Sequence, residues 1–530
     1  MSKTAPAPKP KTGGPVARRA QALPALVILL AAFAFIAGVA PARGAAALGD
    51  ASASHQGEQS EGWRKRPPAN GPDRPFNLPT ARVIRLGNGL MLVMIEDHRS
   101  PIVTIEVGIP ARATLSPSLN ILVEQSALAE ATAQLMTEGA GGRNSEQLAR
   151  EVETLGGRIA SAANDDYVEV SAAVVAENVG PMLEILGDVL LRPAFPRNEV
   201  ALYKSNRIDK LRVDRQEPSF LLSEHFNRIV YGSHPYAISA PTPAAVGVMT
   251  STKIRRFYKS NYGPDGSAFV IVGDFSPAKI EARFRTIFGG WKTSAAAATN
   301  RPPLVVRKPA GRQVYLIDRP GSEQADFRIG GLAITRSNPD YFPLLVANAV
   351  LGGDRTGSRL FLNIREQKGY TYDVFSVVSA LKRGGTFFAG SETRNDAALR
   401  AIREMLAEIN RMRNEKVTGE ELRGAKNYLN GIFSLALSTQ GGVADRIVEA
   451  HMLGLGGDYL QRYRARVEAV TAEQVQEVAR KYMTSDRATI VVVGDAAKLA
   501  EGLSALGPLT VLNVKGNPKR GRPGSSARAK

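Results

Sequence analysis

Two stretches of the chain repeat one another, and that repeat limits the architecture more than any other feature. SAFVIVGDFSPAKI (267–280) is similar to ATIVVVGDAAKLA (488–500). Each reads as a continuous apolar strand, a Gly-Asp turn and the start of a helix. Each follows a helix and a tyrosine-bearing turn, RRFYKSNYGPDG in one case and VARKYMTSDR in the other. Asp274 and Asp495 lie 221 residues apart. Upstream, IEVGIPA (105–111) and FRIGGLA (327–333) fall at similar offsets. The chain therefore reads as two homologous domains of about 220 residues, within the ordinary domain range. They would be joined through the Ala/Pro-rich TSAAAATNRPPLVVRKPAG (293–311).

Within the first domain the elements come in runs. Val83–Glu96 and Ile102–Ile109 read as strands, and Leu119–Glu138 as a helix with Ile121, Leu128 and Leu135 on one stripe. Asn144 and Gln147 have capping-box spacing, opening a second helix that ends at Gly156-Gly157. Arg158–Ala163 and Tyr167–Val175 read as a hairpin across Asn164-Asp165-Asp166. Helices follow at about 177–191 and 198–215, and the second domain repeats the pattern with a hairpin near 371–392. Strands and helices in runs predict an α+β fold, each domain a mostly antiparallel sheet with helices packed on it.

Residues 81–292 are assigned to the first domain, 293–311 to the linker, 312–505 to the second domain and 506–530 to a basic, unstructured tail. Residues 43–80, rich in Gly, Pro and Ser, read as a leader without a core of its own. Residues 1–42 have a basic start ending at Arg18-Arg19, an uncharged apolar run from Ala22 to Ala40, and the small-x-small sequence Ala40-Pro41-Ala42. That is an export signal cleaved there, or an anchor retained in the inner membrane, since the run approaches the ~20 residues that span a bilayer. Either places the body outside the cytoplasm, in a periplasm or its equivalent.

Composition removes several kinds of chemistry. There is no cysteine, which excludes disulfides and thiolate metal sites. The five histidines (His55, His98, His225, His234, His451) include no pair three to five residues apart, so no helical pair can grip a metal. The net charge is +18, but eleven of the basic residues lie in residues 1–21 and 515–530, where there is no acid. Charge carried on flanks rather than on a folded face argues against a nucleic-acid partner. The C-terminal run reads as a solvated end or as a weak hold on an anionic membrane surface. GGDRTGSRL (352–360) lacks the Lys-Ser/Thr ending of a phosphate loop, and no G-x-S-x-G is present. Asp165-Asp166 is explained by a turn, and His234-Pro235-Tyr236 by structure.

ALAEATAQLMTEGA (127–140) on the first long helix then gains meaning. Together with TEGAGGRNSEQLAREVETLGG (137–157), VLLRPAFPRNEV (189–200), YGSHPYA (231–237), LFLNIREQKGYTYDV (360–374) and the two-domain repeat, it resembles the pitrilysin/insulinase family, the inverzincin metallopeptidases. The resemblance is to the short form seen in mitochondrial processing peptidase and its bacterial relatives, and covers about residues 81–500. Active members carry H-x-x-E-H on this helix, two zinc ligands and a general base. The resemblance aligns that motif with Glu130, Ala133 and Gln134, and the distal glutamate ligand with Asp209-Lys210. A carboxylate beside a neutral amide, with a lysine at the third position, is a poor zinc seat. Glu130, Gln134 and Thr137 alternatively read as the polar stripe of an amphipathic helix.

Arg365 and Tyr372 match the family's Arg/Tyr pair, which holds the substrate backbone near the zinc. A guanidinium and a phenol can both donate to a peptide carbonyl and to charge developing on it. Their plain structural reading is an arginine paired with Glu366 and a tyrosine at a strand end. The resemblance implies a chain with no metal or cofactor of its own, inactive alone, which completes a clamshell chamber with a homologous zinc-bearing subunit and binds unfolded peptide for it. The different-class alternative is a stand-alone peptide-binding or structural scaffold.

Overall fold

A computed structural model describes residues 80–111, 118–292 and 310–519. The apolar run at 22–40, the leader and the linker lie outside the described residues. Among those described, no helix is long and apolar enough to cross a membrane.

The first domain contains strands β1 (Ala81–Arg85), β2 (Met91–Glu96), β3 (Ile102–Pro110), β4 (Arg158–Ala163), β5 (Tyr167–Val175) and β6 (Ala268–Gly273). They form one mixed sheet in the order β1-β2-β6-β3-β5-β4, antiparallel except where β2 meets β6. Its helices are α1 (Leu119–Leu135), α2 (Ser145–Thr154), α3 (Val179–Leu191), α4 (Arg197–Asp214), α5 (Pro218–Tyr231), α6 (Pro243–Gly247), α7 (Ser251–Asn261) and α8 (Pro277–Phe288). The run expected at 83–96 is two strands, because Gly89 takes φ +89° and turns the chain between them. The Asn144/Gln147 capping box forms in both directions, and the 158–175 hairpin forms as the alternation indicates.

The second domain contains β7 (Gln313–Asp318), β8 (Gln324–Leu332), β9 (Val374–Ala380), β10 (Gly385–Arg394), β11 (Thr489–Gly494) and β12 (Leu509–Leu512). Their order is β12-β7-β11-β8-β10-β9. Its helices are α9 (Tyr341–Asn348), α10 (Asn395–Asn414), α11 (Gly419–Ala436), α12 (Gln440–Leu453), α13 (Tyr459–Glu468), α14 (Ala472–Tyr482) and α15 (Ala496–Ser504). Each domain is thus α+β. The repeated segments are the inner strands β6 and β11, each followed by a helix, and IEVGIPA and FRIGGLA fall on the matching strands β3 and β8.

Both inner strands are buried on both faces, which is why they read as unbroken apolar runs. Val270 and Val272 pack in one core with Val443, Ala444 and Val448 of α12, whereas Phe269 and Ile271 face the first domain's own helices. Helix α12 thus belongs to the second domain in sequence and covers the first domain's sheet. Helix α5 returns the arrangement: Leu222, Phe226 and Val230 pack on Ile317, Val491 and Val493 of the second sheet. Gly108 on β3 permits the close approach, since a Cβ there would lie 2.7 Å from Val448 Cγ1.

One boundary is corrected. Residues 506–530 were expected to be an unstructured tail, but Leu509–Leu512 forms the edge strand β12, parallel to β7. Lys519 then pairs with the buried Asp318, and His225 of α5 contacts the Val514 carbonyl at 3.2 Å. Alternating Leu509, Val511 and polar neighbours make too short a signal to stand out beside the basic residues that follow.

Candidate functional site

Helix α1 presents the three motif-equivalent positions in three different environments. Ala133 is fully buried in the first-domain core, Gln134 is exposed, and Glu130 lies partly buried between them. The carboxylate of Glu130 is held by α4. Arg207 brings Nε to 2.5 Å from Oε1 and donates from Nη2 to Oε2 at 3.0 Å, while Tyr203 donates its hydroxyl to Oε1 at 3.1 Å. Burial, reinforced by the Glu130 charge, raises the Tyr203 phenol and keeps it a donor.

The distal position does not face this group. Lys210 is exposed and bonds Asp214 at 2.8 Å, one turn along its own helix, and Asp209 pairs with Arg212. The partners that reach Glu130, Tyr203 and Arg207, were not anticipated. Their signal in the sequence was an arginine one turn before Lys210, on the same side of a helix expected to face α1. The residues present do not fit a zinc ion. They offer the Glu130 carboxylate already paired with Arg207, an amide exposed to water, an apolar side chain at the base position, and a distal Asp209 paired with Arg212.

Glu130 lines a cavity of about 530 Å³ between the domains. Gln125 and Ser126 of α1, the Asn164–Tyr167 turn and Tyr236 form one side, and Ala380, Leu381, Glu449 and Leu453 of the second domain form the other. The Gln125 side-chain oxygen is buried without a hydrogen-bond donor among the described residues. Asp166 ties the domains together. It accepts from the Tyr236 hydroxyl and from the Lys382 backbone amide, the latter at 2.8 Å. The turn thus explains Asp165-Asp166, and Tyr236 gains a structural role across the interface. Burial and then the Asp166 charge push Asp165 up to about 6. Burial and then Arg383 push His234 down to about 4, and its Nδ1 accepts from the Tyr236 amide at 3.2 Å.

Arg365 and Tyr372 lie elsewhere, and neither lines this cavity. Arg365 sits in a π-helical segment, Phe361–Gln367, with its guanidinium 4.7 Å from the Phe361 ring centre and 3.7 Å from Glu366. Gly369 closes that segment with φ +61°, and its amide donates to the Arg365 carbonyl. Thr371 anchors the following turn by donating to the Glu392 carbonyl at 2.5 Å. Tyr372, next along, is 93% exposed. The pair is displayed on the surface, with Thr371 and Gly369 fixing the backbone between the two side chains.

Comparisons with known proteins agree with this architecture. Residues 126–244 match the family model described as Insulinase (Peptidase family M16), and residues 249–429 match the model described as Peptidase M16 inactive domain. The chain is 24% identical over 360 residues to the uncharacterized zinc protease YmxG of Bacillus subtilis, covering 67% of this chain and 85% of that one. It is 24% identical over 369 residues to an uncharacterized zinc protease of Streptomyces coelicolor, covering 68% and 79%. Among solved structures, a peptidase M16 inactive domain from Pseudomonas fluorescens superposes with TM-score 0.70 at 23% identity, covering 78% of this chain and 98% of that one. A protease from Helicobacter pylori superposes with TM-score 0.71 at 18% identity, covering 78% and 100%. With two adjoining family models placed in order along two sheets of matching strand order, this chain belongs to the insulinase, or M16, peptidase family.

Proposed function

We propose that this protein is the non-catalytic subunit of an M16-type zinc peptidase, pairing with a homologous zinc-bearing chain and binding extended peptide for it. The observation that carries the reading is the Arg207–Glu130 pair. A guanidinium fixed on the one carboxylate that α1 offers at the motif-equivalent positions makes a permanent internal ion pair there in place of a metal ligand. The exposed Arg365 and Tyr372 support the second half of the proposal. They are donors with free faces, held on a defined backbone, and available to a peptide carbonyl in a neighbouring subunit. Extended peptide suits such a site because main-chain pairing tolerates varied sequences. The zinc is assigned to the partner subunit. Export, by a cleaved signal or a retained anchor, is proposed from the apolar run at 22–40.

The test is to co-express the chain with a homologue that carries H-x-x-E-H, purify the complex, and measure cleavage of an unfolded peptide. Activity of the mixed pair that falls with Arg365→Ala or Tyr372→Phe supports the assignment. Cleavage by this chain alone, or stoichiometric zinc in it, would overturn it. A stable homodimer that neither binds the homologue nor affects its activity would favour the scaffold alternative.

A further inference from the structure

We propose that Glu106, Glu169 and Asp445 form a binding site for a hard divalent cation of the calcium class, which ties helix α12 of the second domain to the sheet of the first. The three side chains each offer a carboxylate oxygen, and those oxygens all lie within 4.8 Å of one another. The fold brings them together. On β3 and β5, Gly108 faces Glu169 and Glu106 faces Ser171, so the two glutamates are diagonal neighbours on one face. Gly108 has no side chain to hold α12 off that face, and Val448 packs against it. Asp445, one turn earlier on α12, is thereby set over both glutamates.

A second observation points to a ligand. Glu106 is only 5% exposed, and its Oε2 is buried with no hydrogen-bond partner among the described residues. A buried, unpartnered carboxylate oxygen aimed into two other carboxylates is costly unless something positive or protonated answers it. Arg158 acts on Glu106 only through space, with no ion pair between them among the described residues, and Arg446 is engaged elsewhere. Arg446 bonds Glu449 at 2.5 Å, and Glu169 receives only the neutral Asn164 amide at 3.2 Å. Burial, then the Asp445 and Glu169 charges, push the Glu106 carboxyl up to about 9, the direction expected of a carboxylate that faces two others. A divalent ion would compensate all three groups.

The donor set selects the ion. Three oxygens with no imidazole or thiolate disfavour zinc and favour a hard cation. Among hard cations calcium accepts irregular shells of six to eight oxygens, whereas magnesium demands a near-ideal octahedron at about 2.1 Å and gives up its waters reluctantly. Asp445 lies on the exposed rim, where solvent can complete the coordination. The inference stands independently of the function proposed above, because it uses none of the same residues.

The full-length chain, stripped with chelator, should be titrated with CaCl2, MgCl2 and ZnCl2 by calorimetry, with thermal melts in parallel. The expected result is one calcium per chain and a melting point raised by a few degrees at saturation. Asp445→Asn, at the rim, should abolish both. Glu106→Gln should abolish both while raising the melting point of the metal-free chain, which shows that loss of binding is not loss of folding. No saturable calcium heat, a calcium shift that survives in both variants, or tighter binding of zinc than calcium would each overturn the proposal.

Discussion

Arg207 grips Glu130 as a fork, with Nε 2.5 Å from Oε1 and Nη2 3.0 Å from Oε2, across the gap between α4 and α1. The pair joins the two helices through charge. The fork is only partly exposed, so it is less screened than a surface pair.

Arg207→Ala should therefore leave a partly buried carboxylate without its cation. The expected cost is about 1–3 kcal/mol, read as a lower urea midpoint. The isolated wild-type chain should retain no stoichiometric zinc after desalting, measured by elemental analysis. Installing Glu130→His, Ala133→Glu and Gln134→His together should still fail to create tight zinc binding while Arg207 remains, because a fixed cation opposes the ion at short range.

Arg365→Ala and Tyr372→Phe should change folding stability by no more than about 0.5 kcal/mol, since both side chains project into solvent. In the mixed complex each should lower kcat by about 10²-fold if the pair stabilises developing charge. Equal unfolding midpoints with unequal turnover would separate a contact with substrate from a structural role.

The interface should respond to pH through His234. Its folded-state value, about 4, is depressed below the ordinary 6.5, so the native state prefers the neutral ring. The corresponding stability is fully present above pH 6.5 and is lost as pH falls through about 4. Protonation would also remove the Nδ1 acceptor used by the Tyr236 amide. Asp165 acts with the opposite sign, because its folded value is raised to about 6: its protonated form favours the native state below that value. Comparing wild type with His234→Asn over pH 4–7 isolates the histidine, and the variant should show the flatter acid limb.

Ending the chain after Gly507 would remove β12 and leave the buried β7 with an unpaired edge. It would also remove the Lys519–Asp318 and Val514–His225 contacts. The expected outcome is a lower melting point and concentration-dependent association, seen by size exclusion, as the bare edge recruits another strand. An unchanged monomer would refute a structural role for the last strand.

Much of this was legible because it is encoded locally. The period of two in Arg158–Val175, the capping box at Asn144/Gln147 and the twin apolar strands at 268–273 and 489–494 each report a nearest-neighbour constraint. The side-chain types at Ala133 and Gln134 are likewise read directly from the sequence. Arg207, Tyr203 and β12 were not legible in that way. Their partners, Glu130 and β7, lie roughly 75 or nearly 200 residues away, so even an arginine on the expected helix face does not name the group it meets.

By itself, then, the amino-acid order determined two related α+β domains and the residue types along the first helix, because periodicity and side-chain chemistry are properties of short segments. Only the tertiary structure decided that α5 and α12 each cover the other domain's sheet, that Glu130 is closed by Arg207, and that Glu106, Glu169 and Asp445 converge. Those outcomes depend on which distant faces meet. That is settled by burial and close approach, such as α12 over the bare Cα of Gly108, and not by local pattern.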